Sequence, residues 1–218
     1  MATRTLTWSL AKPGLTSASS AHGTPVSNTA AAPFPSIFQL SMTFGSGQFL
    51  GTGFLIRPRL VLTAAHNVVD LDDGPAMAVD VLGTLRHGIQ AKVRKEWSQD
   101  KNTRFDFGAI VLDGPLEAPP LSLAADAAPQ GIPVRFAGFP ATAGGAVWEH
   151  VTSVSSAGSH VLSCHGTCYG GESGGPMWRE DGSVIGIVHY GEGTSTDAIR
   201  VTSQVQQFVD AWIAESNT

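Results

Sequence analysis

From Ser36 onward, short apolar stretches alternate with turn residues along the whole chain. "IFQLSMTF" (37–44), "QFLGTGFLI" (48–56), "LVLTAA" (60–65), "AMAVDVL" (76–82), "GIQAKVRKEW" (88–97) and "FGAIVL" (107–112) are separated by Gly, Pro and Asp. Such lengths and boundaries predict strands, not helices. A Pro- and Ala-rich stretch, 113–131, reads as a connector. Beyond it come "IPVRFAGF", "AVWEHVTSVSS", "HVLSC", "GGPMW", "SVIGIVHY" and "AIRVT". Strands in equal number on each side of a connector predict an all-β chain of two packed six-stranded antiparallel barrels. Their expected limits are 36–118 and 119–202. The period changes only at the end. Val205, Phe208, Val209, Trp212 and Ile213 follow helical spacing, which predicts a C-terminal helix over 203–218 with Ser203 as N-cap, packed on the second barrel. Residues 11–35 are mostly Ala, Ser, Thr, Pro and Gly, and 1–35 reads as a flexible arm or pro-segment.

Composition agrees with short strands and many turns. The 218 residues include 25 glycines and 13 prolines, with 42% hydrophobic and 14% charged residues, which is too apolar for a disordered chain. The net charge is −5, and the one basic stretch, "RHGIQAKVRK" at 86–95, reads as a solvated strand face. No nucleic-acid partner is expected. No apolar run approaches the ~18 residues of a membrane span, so no membrane partner is expected either. "MATRTLTWSLAKPGL" lacks the continuous apolar core of a signal peptide, so the chain as written carries no export address.

One stretch asks for chemistry. "CYGGESGGPMW" (168–178) packs four glycines and a proline around Ser173. Glycine is favoured where backbone takes φ > 0 or approaches another group closely. Either this is a tight turn, or backbone N–H groups are aimed at a reacting oxygen beside the hydroxyl. Acyl transfer by serine also needs a base, a carboxylate to orient it, and donors for the oxyanion. "VLTAAHNVV" supplies His66 at the end of an apolar strand, and "RFDFGAIVL" supplies Asp106 between two phenylalanines. A carboxylate so poorly solvated needs a partner. Alone, His66 reads as a structural histidine and Asp106 as a turn residue. In the order His, Asp, Ser, beside a Gly-rich serine loop, they make one constellation.

Taken together, "TAAH", "DFGAIVL" and "GESGGP" resemble the three signatures of the chymotrypsin-like serine protease family, over about residues 36–214. The resemblance implies a two-barrel serine endopeptidase acting on polypeptides, with no cofactor and no metal, as a secreted monomer; the chain is cytoplasmic if complete as written. It implies Ser173 as nucleophile, His66 as general base and then acid, and Asp106 as the group that holds the imidazole. The Gly171 and Ser173 N–H groups would form the oxyanion hole, with Gly174 and Gly175 sparing His66 from crowding. The alternative is a catalytically silent binding protein on the same fold, since fold alone does not prove function.

"YGGESGGPMW", "VIGIVHYG" and "AIRVTSQVQQFVDAWI" are most similar to the bacterial glutamyl-endopeptidase-like branch. The substrate pocket is then expected from Thr167, Cys168, Val188, His189, Tyr190 and Gly191. In that branch a histidine on the strand after the serine loop helps bind a substrate carboxylate, which makes His189 the candidate and implies cutting after an acidic residue. The chain carries one residue more before this histidine than the branch pattern. If Val188 faces the pocket instead, an apolar side chain is preferred. Cys164 and Cys168 in "SCHGTC" are read first as a short disulfide, then as two free thiols, then as a metal site with His165 or His160. Glu172 has two readings. It pairs with an ammonium freed by cleavage near Val26, as its counterpart does in the animal enzymes, or local N–H groups hold it.

Overall fold

The structure is a computed structural model that describes residues 23–125 and 128–216. The first barrel closes through β1 (Ile37–Phe44), β2 (Gly47–Arg57), β3 (Leu60–Thr63), β4 (Ala78–Val81), β5 (Arg86–Val93) and β6 (Gly108–Leu112), in the order β1-β2-β3-β6-β5-β4. The second uses β7 (Pro133–Gly138), β8 (Trp148–Ala157), β9 (Val161–His165), β10 (Pro176–Trp178), β11 (Val184–Glu192) and β12 (Ser195–Arg200). Its order is β8-β7-β10-β11-β12-β9, and pairing of β8 with β9 closes it. All neighbours in both barrels are antiparallel. The two six-stranded barrels and the terminal helix are those expected.

The apolar pattern follows from what each strand covers. In β2, Leu55 points into the first barrel while Phe54 and Ile56 join the core between the barrels. Similarly, Val61 faces inward and Leu60 and Leu62 outward on β3; Ile110 and Leu112 face inward and Ala109 and Val111 outward on β6. A strand buried on both faces reads as a continuous apolar run. On β4 only Val79 and Val81 are buried, which gives the plain alternation of a strand with one wet face.

The C-terminal helix, Ser203–Glu215, starts one residue earlier in its cap than expected. Thr202, not Ser203, is the N-cap, its hydroxyl oxygen accepting from the Val205 N–H at 3.2 Å. Its position also differs from the expectation. It lies on the seam, not on the second barrel alone: Phe208 stacks on Phe107 at 6.3 Å, Trp212 contacts the same ring at 5.7 Å, and the Arg94 guanidinium lies 3.9 Å from the Phe208 ring centre. Val205, Val209 and Trp212 complete the core shared by both barrels. Truncating Trp212 to Ala is expected to cost about 3–5 kcal/mol, read as a lower urea midpoint with an unchanged slope.

Residues 23–35 are also placed differently. Thr24–Pro25 adds a short antiparallel strand to β8, opposite Glu149 and Trp148. The Val26 N–H donates to Val147 O at 3.0 Å, and Phe34 meets the edge of Trp178. The rest of the expected arm, 1–22, lies outside the described residues. Among the described residues no helix is long and apolar enough to cross a membrane.

Candidate active site

Barrel register brings His66 and Asp106 together. Thr63 on β3 pairs with Gly108 on β6. His66 follows that pair in the short 3-10 turn Ala65–Asn67, and Asp106 precedes it at the end of the turn Thr103–Phe105. Asp106 is buried and uses both oxygens on the same residue. Oδ1 accepts from the His66 backbone N–H at 2.9 Å, and Oδ2 lies 2.8 Å from His66 Nδ1. An ionised carboxylate only accepts, so Nδ1 carries the proton and Nε2 is left as the basic nitrogen. Burial lowers the pKa of His66, but the charge and hydrogen bond of Asp106, with the charge of Asp70, outweigh it, and the net shift is upward. Burial alone would raise that of Asp106; the charge of His66, hydrogen bonds from His189 and His66, and the charge of His189 hold it well below the usual carboxylate range.

The serine loop is tied to the first barrel by polar side chains that pattern reading passed over. The Ser173 carbonyl accepts from the Thr52 N–H at 2.9 Å and from Asn67 Nδ2 at 2.8 Å. Thr52 Oγ1 donates to Gly171 O at 2.7 Å and accepts from the Phe139 N–H. Thr63 Oγ1 donates to Thr52 O and accepts from Asn67 Nδ2. Thr52, Thr63 and Asn67 are all buried. Their signal in the sequence is a polar residue set inside or directly behind an apolar run, where it must find a partner.

The glycines answer the question of the bare loop. Gly171 has φ +99°, and a Cβ there would stand 2.5 Å from Phe139 O and 2.8 Å from Ala141 N. Among the described residues neither the Gly171 nor the Ser173 N–H donates to an internal acceptor. Gly174, at φ +93°, spares a different neighbour from the one expected. A Cβ would stand 2.0 Å from Thr52 O and 2.2 Å from Thr63 Oγ1, so it is the first-barrel wall and not His66 that requires glycine.

His189 does not sit as a simple pocket residue. The register of β11 on β12 shifts between Val188, opposite Ala198, and Tyr190, opposite Asp197. The extra residue is taken up by this bulge. Val188 is fully buried among the second-barrel core, and His189 turns to the first barrel, its Nδ1 3.4 Å from Asp106 Oδ2. Its Nε2 is buried without a hydrogen-bond partner. Of the other expected pocket residues, Thr167 donates to Gly193 O, and Tyr190 Oη donates to Glu192 Oε2 at 3.3 Å. The Cys168 Sγ packs where a Cβ on Gly191 would stand, 2.5 Å away.

Cys164 and Cys168 are free thiols, which corrects the expected disulfide. Cys164 is buried in the barrel interior while Cys168 lies against Gly191. Burial, with the charge of Asp197 for Cys164 and of Glu172 for Cys168, pushes both pKa values up to about 12. Neither is a thiolate at neutral pH. Among the described residues no group of three or more His, Cys, Asp or Glu side chains is arranged to hold a metal ion.

Glu172 is fully buried and is held from within the second barrel. Its Oε1 lies 2.9 Å from His150 Nε2, and its Oε2 accepts from the Tyr169 N–H at 2.6 Å. The N–H of Val26 is spent on Val147 O, so the ammonium reading is not what this structure forms. His150 is the partner that sequence reasoning missed.

The chain is similar to known proteins over most of its length. A trypsin-like peptidase domain model matches residues 51–187. The chain is 27% identical to an extracellular metalloprotease of Bacillus subtilis, covering 87% of this chain and 67% of that one. It is 26% identical to a glutamyl endopeptidase of Bacillus licheniformis, covering 87% and 66%. It thus spans about two thirds of the length of these relatives. A solved Glu endopeptidase superposes with a TM-score of 0.79 at 22% identity, over 88% of this chain and 97% of the other. With its two closed barrels, its terminal helix and a family match over more than half its length, the chain belongs to the trypsin-like peptidase family of chymotrypsin-like serine proteases.

Proposed function

We propose that the chain hydrolyses peptide bonds through an acyl-enzyme on Ser173. The observation that carries this reading is the buried Asp106 gripping His66 by both its backbone N–H and its Nδ1, beside a serine loop whose carbonyls are tied to the same barrel. In the first step Ser173 Oγ bonds to the scissile carbonyl carbon while His66 Nε2 takes the hydroxyl proton. The carbonyl π-electrons move to oxygen, and the Gly171 and Ser173 N–H groups donate hydrogen bonds to the resulting oxyanion. The C–N bond then breaks, and His66 returns its proton to the leaving amine. Water repeats the sequence on the ester and frees Ser173. Asp106 keeps the imidazole in the tautomer this requires and stabilises the imidazolium. Digestion of casein by the purified chain, followed by sequencing of the new termini, tests the activity; intact casein at long times would refute it.

The likeness to a glutamyl endopeptidase supports cutting after an acidic residue. The geometry of His189 favours a neutral one. Its Nδ1 is engaged by Asp106, and Cys168 and Gly191 bring no charge to the pocket. A substrate carboxylate buried there would lack a counter-ion, which is costly. Of two chromogenic peptides differing only in Phe or Glu before the leaving group, the Phe peptide is expected to lead in kcat/KM by about tenfold or more. His189→Ala should slow both peptides alike. A lead for the Glu peptide that this substitution erases would establish acidic specificity instead. The likeness to an extracellular Bacillus protease supports action outside the cell on protein substrates.

A further inference from the structure

The residue before the proposed nucleophile, Glu172, has a buried carboxylate whose hydrogen-bond partners, among the described residues, belong to its own barrel. His150 reaches it from β8, and Tyr169 from within the serine loop. The loop closes further on itself through Glu172 N–H to Tyr169 O at 3.0 Å and Gly175 N–H to Glu172 O at 3.0 Å. His150 has little freedom. Its ring stacks on Phe136 with centroids 4.1 Å apart and planes 9° from parallel. Gly23 packs so closely on the ring that a Cβ there would stand 2.5 Å from Nε2 and 2.6 Å from Cε1. A buried carboxylate stripped of its donor is destabilised, and here that carboxylate is one peptide unit from both N–H groups proposed to bind the oxyanion.

Resting on the protease reading, we infer that His150 is a positioning residue that locks Glu172 and thereby aims the Gly171 and Ser173 N–H groups, so that the chain is competent without cleavage near Val26. Cleavage there would remove Gly23 and the Thr24–Pro25 strand, uncovering the histidine. The catalytic groups do not touch His150; it acts through the loop.

The test compares wild type with His150→Phe, which keeps the ring on Phe136 but loses the N–H donor. A peptide boronate mimics the tetrahedral state, whereas the matching product peptide needs no oxyanion hole. In His150→Phe, affinity for the boronate is expected to fall about 100-fold while that for the product peptide holds. Amide exchange should rise in the segment 169–175 and stay unchanged elsewhere. His150→Gln, which restores a donor, should recover most of both, and serves if the Phe variant fails to fold. Adding Glu172→Gln to His150→Phe should cause no further loss. Equal loss of boronate and product binding, unchanged exchange in 169–175, or a chain beginning at Val26 that outperforms the full chain would each overturn the inference. Exchange reads the loop whether or not Ser173 turns over. Failure of the protease reading would leave wild type unable to bind the boronate; failure of this one would leave the variant indistinguishable from wild type.

Discussion

Ser173→Ala is expected to lower kcat by about 10⁵- to 10⁶-fold, with the fold intact. The size follows from the way these groups act. Without Oγ there is no acyl-enzyme, His66 has no proton to take, and only binding and the oxyanion hole remain to act on water, a residue of ~10³- to 10⁴-fold in comparable triads. The substitution removes one half-buried hydroxyl, which donates only a long hydrogen bond, 3.5 Å, to His189 O. What holds the loop is the Ser173 carbonyl, through Thr52 and Asn67, and alanine keeps that carbonyl. Unfolding by urea should therefore match wild type. Loss of activity together with loss of stability would mean that the hydroxyl is structural.

Asp106→Asn should lower kcat by about 10⁴-fold and move the pH profile. An amide at this position can present its NH₂ to His66 Nδ1, which forces the proton onto Nε2 and leaves no base facing the serine. The pH effect follows from the upward shift of His66, which Asp106 causes. The base must be neutral, so kcat/KM of wild type should rise with pH through a value above the ordinary histidine pKa of about 6.5. Removing the carboxylate should bring that limb down. Stability carries the opposite sign. A raised histidine pKa contributes below its unfolded value and is lost as pH rises through the folded one. The depressed pKa of Asp106 contributes above the ordinary carboxylate range and is lost on acidification. His189 also faces Asp106 Oδ2 at 3.4 Å, so the Asn variant should lose stability as well as turnover. A kcat/KM limb unmoved by Asp106→Asn would show that the limb belongs to another group.

The strands were legible because of where they sit. "FLI", "LVL" and "AIVL" are apolar throughout since β2, β3 and β6 face one core inside the barrel and another between the barrels. His66, Asp106 and Ser173 stood out because each lies at the mouth of such a run, with glycine or phenylalanine where polar solvation would be expected. What escaped notice depends on closure of the barrels. The pairing of His150 with Glu172 joins residues 22 apart through β8, and the links from Thr52 and Asn67 to Ser173 span more than 100 residues. No local periodicity encodes either. Residues 23–35 were misread because composition reports side-chain burial, whereas Thr24–Pro25 joins the sheet by its position beside β8. The spacing of Cys164 and Cys168 invited a disulfide, but the end of β9 turns one into the core and leaves the other against Gly191. The resemblance put His189 in the pocket, but a bulge between Val188 and Tyr190 takes up the extra residue, and the ring turns to Asp106 of the first barrel.

The central claim is that Ser173 is the nucleophile and His66 its base. Incubating the full chain with a fluorophosphonate, then digesting it and locating the adduct by mass spectrometry, tests this in one step. The probe should add once, on the peptide that contains Ser173, at a rate that climbs with pH as His66 loses its proton, and His66→Ala should abolish the addition. An adduct on another residue, or no adduct on a folded chain that cleaves casein, would contradict the account.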